Sequence, residues 1–133
     1  MGSVLAIITS YLVGSIPFGL IIGKLWAGID VREYGSGNIG TSNVLRTVGP
    51  WAAITVFALD VAKGALAVYL GTLAGGEYVR IMAGVAAIVG HNWPIYLRFK
   101  GGKGIATSLG VVMTLTPVVA LVLLGLWIII VGI

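Results

Sequence analysis

The chain has no cysteine, which removes disulfides, thiolate metal sites and a thiol nucleophile together. It is nearly as poor in acid: Asp and Glu total four, against eight Lys and Arg, and histidine occurs once. One histidine and four dispersed carboxylates offer no recognisable metal-ligand spacing, so neither a metal nor another cofactor is expected. Ser, His and Asp are all present, but nothing in their spacing gathers them into a triad. Charged residues of every kind make up 9% of the chain, apolar residues 59%, and the mean hydropathy is +1.10. Soluble domains carry about 25% charged residues. The composition therefore marks an integral membrane protein, with the lipid bilayer as its surroundings and no nucleic-acid partner.

Four apolar segments, near residues 3–25, 51–72, 79–97 and 109–131, are long enough to cross a hydrocarbon core, which takes about 20 residues of helix. The expected fold is all-α, a polytopic membrane helix bundle with four spanning helices in one domain, residues 1–133. The first segment has no basic residue before it and no small-residue cleavage site after it, so it reads as a retained helix rather than a signal peptide. Gly14, Gly19, Gly23 and Pro17 within it fit a membrane helix that packs backbone against backbone. The chain stops at Trp127-Ile128-Ile129-Ile130-Val131-Gly132-Ile133, still apolar, which reads as the amino-terminal portion of a longer fold.

Charge placement gives an orientation. Lys24, Arg32 and Arg46 follow the first segment and Arg98, Lys100 and Lys103 follow the third, whereas the 71–80 connection offers Arg80 alone. Basic residues mark the cytoplasmic side. The two intervening loops should therefore face the cytoplasm, with the amino terminus outside.

Those loops carry most of the polar chemistry. In the first, Gly35-Ser36-Gly37-Asn38-Ile39-Gly40-Thr41-Ser42-Asn43-Val44-Leu45-Arg46, five hydroxyl and carboxamide side chains fall within eight residues. Glycines let backbone N–H groups converge on an anion, and the Arg46 guanidinium can bind phosphate through two parallel bonds. The second, Phe99-Lys100-Gly101-Gly102-Lys103-Gly104, lacks the spacing of a Walker motif. It reads as a backbone nest with a lysine, opening the fourth helix at its positive dipole end. Candidate phosphate contacts are Ser36, Gly37, Asn38, Ser42, Asn43, Arg46, Lys100, Gly101, Gly102, Lys103 and Gly104.

Three further ionisable residues stand apart. Asp60 and Lys63 lie midway along the second apolar segment, where one charge costs ~2.5–3.5 kcal/mol on insertion scales. Three residues apart, they share a helix face, either as a pair holding that helix in the bundle or as part of a polar cavity. His91, in Gly90-His91-Asn92-Trp93-Pro94, is either a base or phosphate donor or a structural hydrogen-bonding group at a helix end. Trp93, Pro94 and Tyr96 beside it read as an interfacial anchor.

The first loop, then Leu59-Asp60-Val61-Ala62-Lys63-Gly64, then Gly90-His91-Asn92-Trp93-Pro94 and Phe99-Lys100-Gly101-Gly102-Lys103-Gly104-Ile105-Ala106-Thr107, resemble in order the bacterial acyl-phosphate-dependent glycerol-3-phosphate acyltransferases, the PlsY family. The resemblance implies transfer of a fatty acyl group from acyl phosphate to the 1-hydroxyl of glycerol 3-phosphate, giving lysophosphatidate and phosphate at the bacterial cytoplasmic membrane. It further implies an essential serine and arginine at Ser36 and Arg46, and a glycerol-3-phosphate-binding role for Gly101 to Gly104 with Lys103 as phosphate contact. Ser42 stands where that family commonly has threonine. The family's seven spanning helices and third, carboxyl-terminal motif of His, Asn and Glu have no counterpart in this sequence. A rival reading of the same loops is a small multi-pass transporter or binding protein for an organic phosphate.

Overall fold

A computed structural model describes residues 1–132. Among them all regular structure is helical: α1 (Gly2–Gly14), α2 (Phe18–Ala27), α3 (Thr41–Thr47), α4 (Pro50–Ala74), α5 (Glu77–Asn92), α6 (Ile105–Leu115) and α7 (Pro117–Gly132), with single 3₁₀ turns at Val31–Glu33 and Ile95–Leu97. The all-α expectation holds.

The four expected spans are not four continuous helices. The first expected helix breaks between Gly14 and Phe18, the third ends at Asn92, and the fourth breaks at Thr116. Proline explains each case, since it removes an N–H and crowds the carbonyl one turn back. Pro17 and Pro117 divide the first and fourth segments, and Pro94 stops the chain from extending α5. Two stretches are long and apolar enough to cross a membrane, Gly2–Ala27 taken across its break and Pro50–Ala74, while α6 and α7 are shorter apolar helices.

A broken helix leaves carbonyls without donors, and in an apolar setting each orphan costs several kcal/mol, roughly speaking, unless a neighbour supplies one. Here a cation does so at both breaks. Lys63 Nζ, from the middle of α4, donates to Ile16 O at 2.9 Å, adding a second donor to the Phe18 N–H at 3.1 Å, and lies 5.5 Å from the centre of the Phe18 ring. Arg80 Nη2, from the first turn of α5, donates to Thr114 O at 3.3 Å. Both basic residues therefore act as tertiary caps.

Helices α1, α4, α5 and α6 form the packed centre of the bundle. Small residues let them approach closely: a Cβ on Gly14 of α1 would strike the Ala87 backbone of α5, and one on Gly64 of α4 would strike the Thr107 carbonyl of α6. Gly14 thus has the helix-packing role read for the first segment, whereas Gly19 and Gly23 lie against the Ile39 backbone and the Val31 side chain of the first loop. A separate apolar cluster joins Leu20 and Ile22 of α2, Val31 and Ile39 of the loop, Val44 of α3, and Ala52, Ala53 and Val56 of α4. That cluster fixes the polar loop against the start of α4. Outside it, Leu25, Trp51, Leu73, Val118, Leu121 and Ile130 are among the many large apolar side chains left exposed, an exterior suited to lipid rather than water.

Candidate active site

The first loop is built from the inside out. Asp30 accepts from the Arg32 backbone N–H at 3.0 Å and holds the Arg32 guanidinium through Nη2 at 2.6 Å and Nε at 2.9 Å, which starts the 3₁₀ turn. The hydrogen bond from the Arg32 side chain holds the Asp30 carboxyl down at about 2. A carboxyl lowered on folding stabilises the fold above its unfolded value near 4, and that contribution fades as pH falls towards 2. The Arg32 Nε–H resonance should accordingly stay fixed from pH 8 to about 4 and shift only below that, in a transition centred at about 2. A shift centred near neutrality would refute the pairing.

Asn43 is the centre of the loop. Its Oδ1 accepts from Ser36 N at 3.0 Å, while Nδ2 lies 2.9 Å from Val31 O, 3.2 Å from Tyr34 O and 2.8 Å from Asn38 O. One buried carboxamide thus ties four points of the loop to α3. The Asn38 Oδ1 accepts from Gly40 N at 2.8 Å, a local turn that leaves its own amide N–H groups free of protein partners among the described residues. Ser36, Ser42 and Arg46 are exposed, with Arg46 in the last turn of α3.

The second loop is laid on the end of α5. Gly101 N donates to Asn92 O and Gly102 N to His91 O, each at 3.1 Å. A Cβ at Gly102 would run into the His91 ring, and one at Gly101 into the His91 carbonyl. These two glycines satisfy the terminal carbonyls of α5, so their N–H groups are spent within the protein, contrary to the anion nest expected of them. Gly104, with φ of 76°, turns the chain into α6, and a side chain there would meet Asn92 Oδ1. Ile105 and Ala106, in the first turn of α6, border the space between the loops.

That space is a cavity of about 440 Å³. It brings together Ser36, Asn38, Ser42, Asn43 and Arg46 from the first loop, Lys103 and Gly104 from the second, and Asp60 and His91 from α4 and α5. Gly37, Lys100, Gly101 and Gly102 do not line it, and Asn43 lines it with its carboxamide already committed. Asp60 and Lys63 are 2% and 3% exposed and form an ion pair at 2.8 Å. His91 Nδ1 lies 3.7 Å from Asp60 Oδ1, too long for a hydrogen bond. Lys63 thus caps the α1–α2 break, and Asp60 borders the cavity. Thr41 and Phe57 also line it. Thr41 was legible as one more hydroxyl in a polar loop, whereas Phe57 had no signal among the apolar residues of α4.

A family model described as glycerol-3-phosphate acyltransferase matches residues 4–133. The chain belongs to the glycerol-3-phosphate acyltransferase family. Among curated members, the glycerol-3-phosphate acyltransferase of Thermoanaerobacter sp. (strain X514) is 51% identical over 126 residues, covering 95% of this chain and 64% of its own. That of Symbiobacterium thermophilum is 53% identical over 115 residues, covering 86% of this chain and 57% of its own. The crystal structure of PlsY, an integral membrane glycerol 3-phosphate acyltransferase in its glycerol 3-phosphate form, superposes with a TM-score of 0.90. It is 41% identical, covering 98% of this chain and 66% of that one. The lysophosphatidic acid form of the same enzyme gives a TM-score of 0.89 at 40% identity. The chain thus spans 57–66% of the length of these family members.

Proposed function

We propose that the chain forms the amino-terminal part of a bacterial membrane acyltransferase that moves a fatty acyl group from acyl phosphate to the 1-hydroxyl of glycerol 3-phosphate. The observation that carries this reading is the cavity in which Arg46 and Lys103, from two different loops, meet beside Ser36 and Asn38. Two phosphorylated substrates call for two cations from separate elements. The transporter reading is set aside, because the matching family and relatives are acyltransferases.

Acyl phosphate is already activated, so the site need only align the substrates and stabilise developing charge. Arg46 and Lys103 neutralise phosphate charge, and the free amide of Asn38 and the Ser36 hydroxyl orient substrate oxygens. The glycerol hydroxyl oxygen attacks the acyl carbonyl carbon, the bond from that carbon to the phosphate oxygen breaks, and the departing phosphate takes the hydroxyl proton. Lysophosphatidate and inorganic phosphate result. Gly37, Ser42, Gly101, Gly102 and Gly104 shape the loops around this chemistry, and Lys100 adds positive potential beside them.

The same reading includes four membrane crossings within one transmembrane domain: α1 with α2, α4, α5, and α6 with α7. It sets the bundle in the bacterial cytoplasmic membrane with both loops on the cytoplasmic side, which is where the basic residues gather. The acyl chain remains among the lipids.

The test is formation of lysophosphatidate and release of phosphate by the purified protein in lipid, given both substrates. Turnover abolished by Ser36→Ala supports the site, and turnover untouched by that change overturns it. Direct transfer further predicts that mass spectrometry of protein stopped during turnover finds no acyl group on Ser36. An acylated Ser36 that forms and decays at the turnover rate would replace direct attack with a covalent route.

A further inference from the structure

Residues 93–100, between α5 and the glycines of the second loop, lie outside the cavity. They combine a fixed backbone with exposed side chains. Pro94 is fully buried, Tyr11 of α1 donates to Trp93 O at 2.8 Å, and Pro94 O accepts from Leu97 N at 3.2 Å and from Phe99 N at 2.9 Å. Arg98 and Phe99 are the two non-glycine residues with positive φ among the described residues, at 53° and 64°. Such a backbone is strained for a bulky residue, and strain persists only where the surroundings hold it. Yet Phe99 is 57% exposed. Core packing therefore does not account for an aromatic residue where glycine would sit without strain.

Trp93, Ile95 and Tyr96 are exposed in the same stretch, a set of side chains suited to the headgroup layer of a bilayer. The charges beside them specify the lipid. Arg98 and Lys100 are exposed, no ion pair among the described residues involves either, and no Asp or Glu follows Glu77 in the sequence. A zwitterionic headgroup carries its own cation beside its phosphate, whereas an anionic headgroup presents net charge to these two unpaired cations. We propose that residues 93–100 form a docking platform for an anionic phospholipid of the bilayer, with Arg98 and Lys100 on the headgroup phosphate and the Phe99 ring set among the lipids. The left-handed turn serves this by holding the ring between the two cations in consecutive positions. Because Lys100 leads directly into Gly101, the docked lipid also fixes the second loop at the membrane surface.

Native mass spectrometry of the detergent-purified chain, titrated with phosphatidylglycerol or with phosphatidylcholine of the same acyl chains, reads the charge and the ring separately. The wild type should bind the anionic lipid about tenfold more tightly, the scale of one or two cations at a lipid surface. Arg98→Asn with Lys100→Gln should bring that ratio to within about twofold of unity, and asparagine accepts the left-handed backbone, so the fold survives. Phe99→Gly should weaken both lipids by about tenfold without loss of thermal stability, because glycine relieves the strain as the ring is removed. A merely structural ring would give the opposite pattern, lower stability with lipid binding intact. Lys24→Gln, which removes an exposed cation elsewhere, should leave the ratio nearly unchanged. Equal binding of the two lipids by the wild type overturns the platform, as does a ratio that survives the double substitution or falls as far in Lys24→Gln. Unaltered affinity for both lipids in Phe99→Gly overturns it as well. None of these measurements involves acyl transfer, so their failure and that of the proposed function are distinguishable.

Discussion

Arg46→Ala is expected to lower kcat/KM for glycerol 3-phosphate by about 100- to 1,000-fold, the cost of deleting one preorganised charge-stabilising donor, while the protein remains folded. Arg46 is exposed, and no ion pair among the described residues involves it. Its main structural contribution is a favourable position at the carboxyl end of α3, worth ~0.3–1 kcal/mol. That is too little to unfold the bundle, so the loss should appear in kinetics and not in thermal unfolding. Arg46→Lys separates charge from geometry: it retains a point charge but loses the two-pronged donor, and should recover only part of the rate. Lys103 cannot substitute, because it approaches the cavity from the other loop. A deficit below about tenfold for Arg46→Ala would remove this side chain from transition-state stabilisation.

Some elements were plain in the sequence because their causes are local. Helix α4 begins with proline at its first turn, where proline is well tolerated, and runs on through apolar residues into the Gly75-Gly76 turn. The breaks at Pro17 and Pro117 were not plain. Membrane helices often carry proline without breaking, and the outcome depends on who satisfies the freed carbonyls. Those donors, Lys63 for Ile16 and Arg80 for Thr114, sit on other helices and have no local signature.

The candidate site divides in the same way. Two glycine-rich basic loops could be picked out by composition, and the fold does bring Arg46 and Lys103 to one cavity. Which glycines face a ligand and which support a helix end could not be seen. That depends on Gly101 and Gly102 meeting the last carbonyls of α5, a tertiary contact. Asp60 was conspicuous for its cost in an apolar helix, but its place beside His91 follows only from the packing of α4 against α5.

Asn43→Asp should be the most damaging single change in the loop, although it alters the side chain's shape very little. In the native loop Oδ1 must be an acceptor, because it faces the Ser36 N–H, and the opposite atom must be a donor, because three carbonyls surround it. Neither a rotated carboxamide nor a carboxylate meets both demands. At neutral pH an aspartate would turn a second acceptor towards the carbonyls of Val31, Tyr34 and Asn38 with a buried charge, which costs about 3–5 kcal/mol on the scale of broken buried polar networks. Thermal unfolding should drop by roughly 10 °C or more, and turnover should vanish with the loop's shape. The variant carries its own control. Burial and the facing carbonyls raise the folded-state pKa of the new carboxyl above its unfolded value, so its deficit is full above that raised value. The deficit should shrink as pH falls towards 4, because the protonated form regains one O–H donor for a carbonyl. Asn43→Ala lacks that group and should show no such recovery. An aspartate variant as stable as the wild type at pH 7 would mean that the carboxamide does not hold the loop.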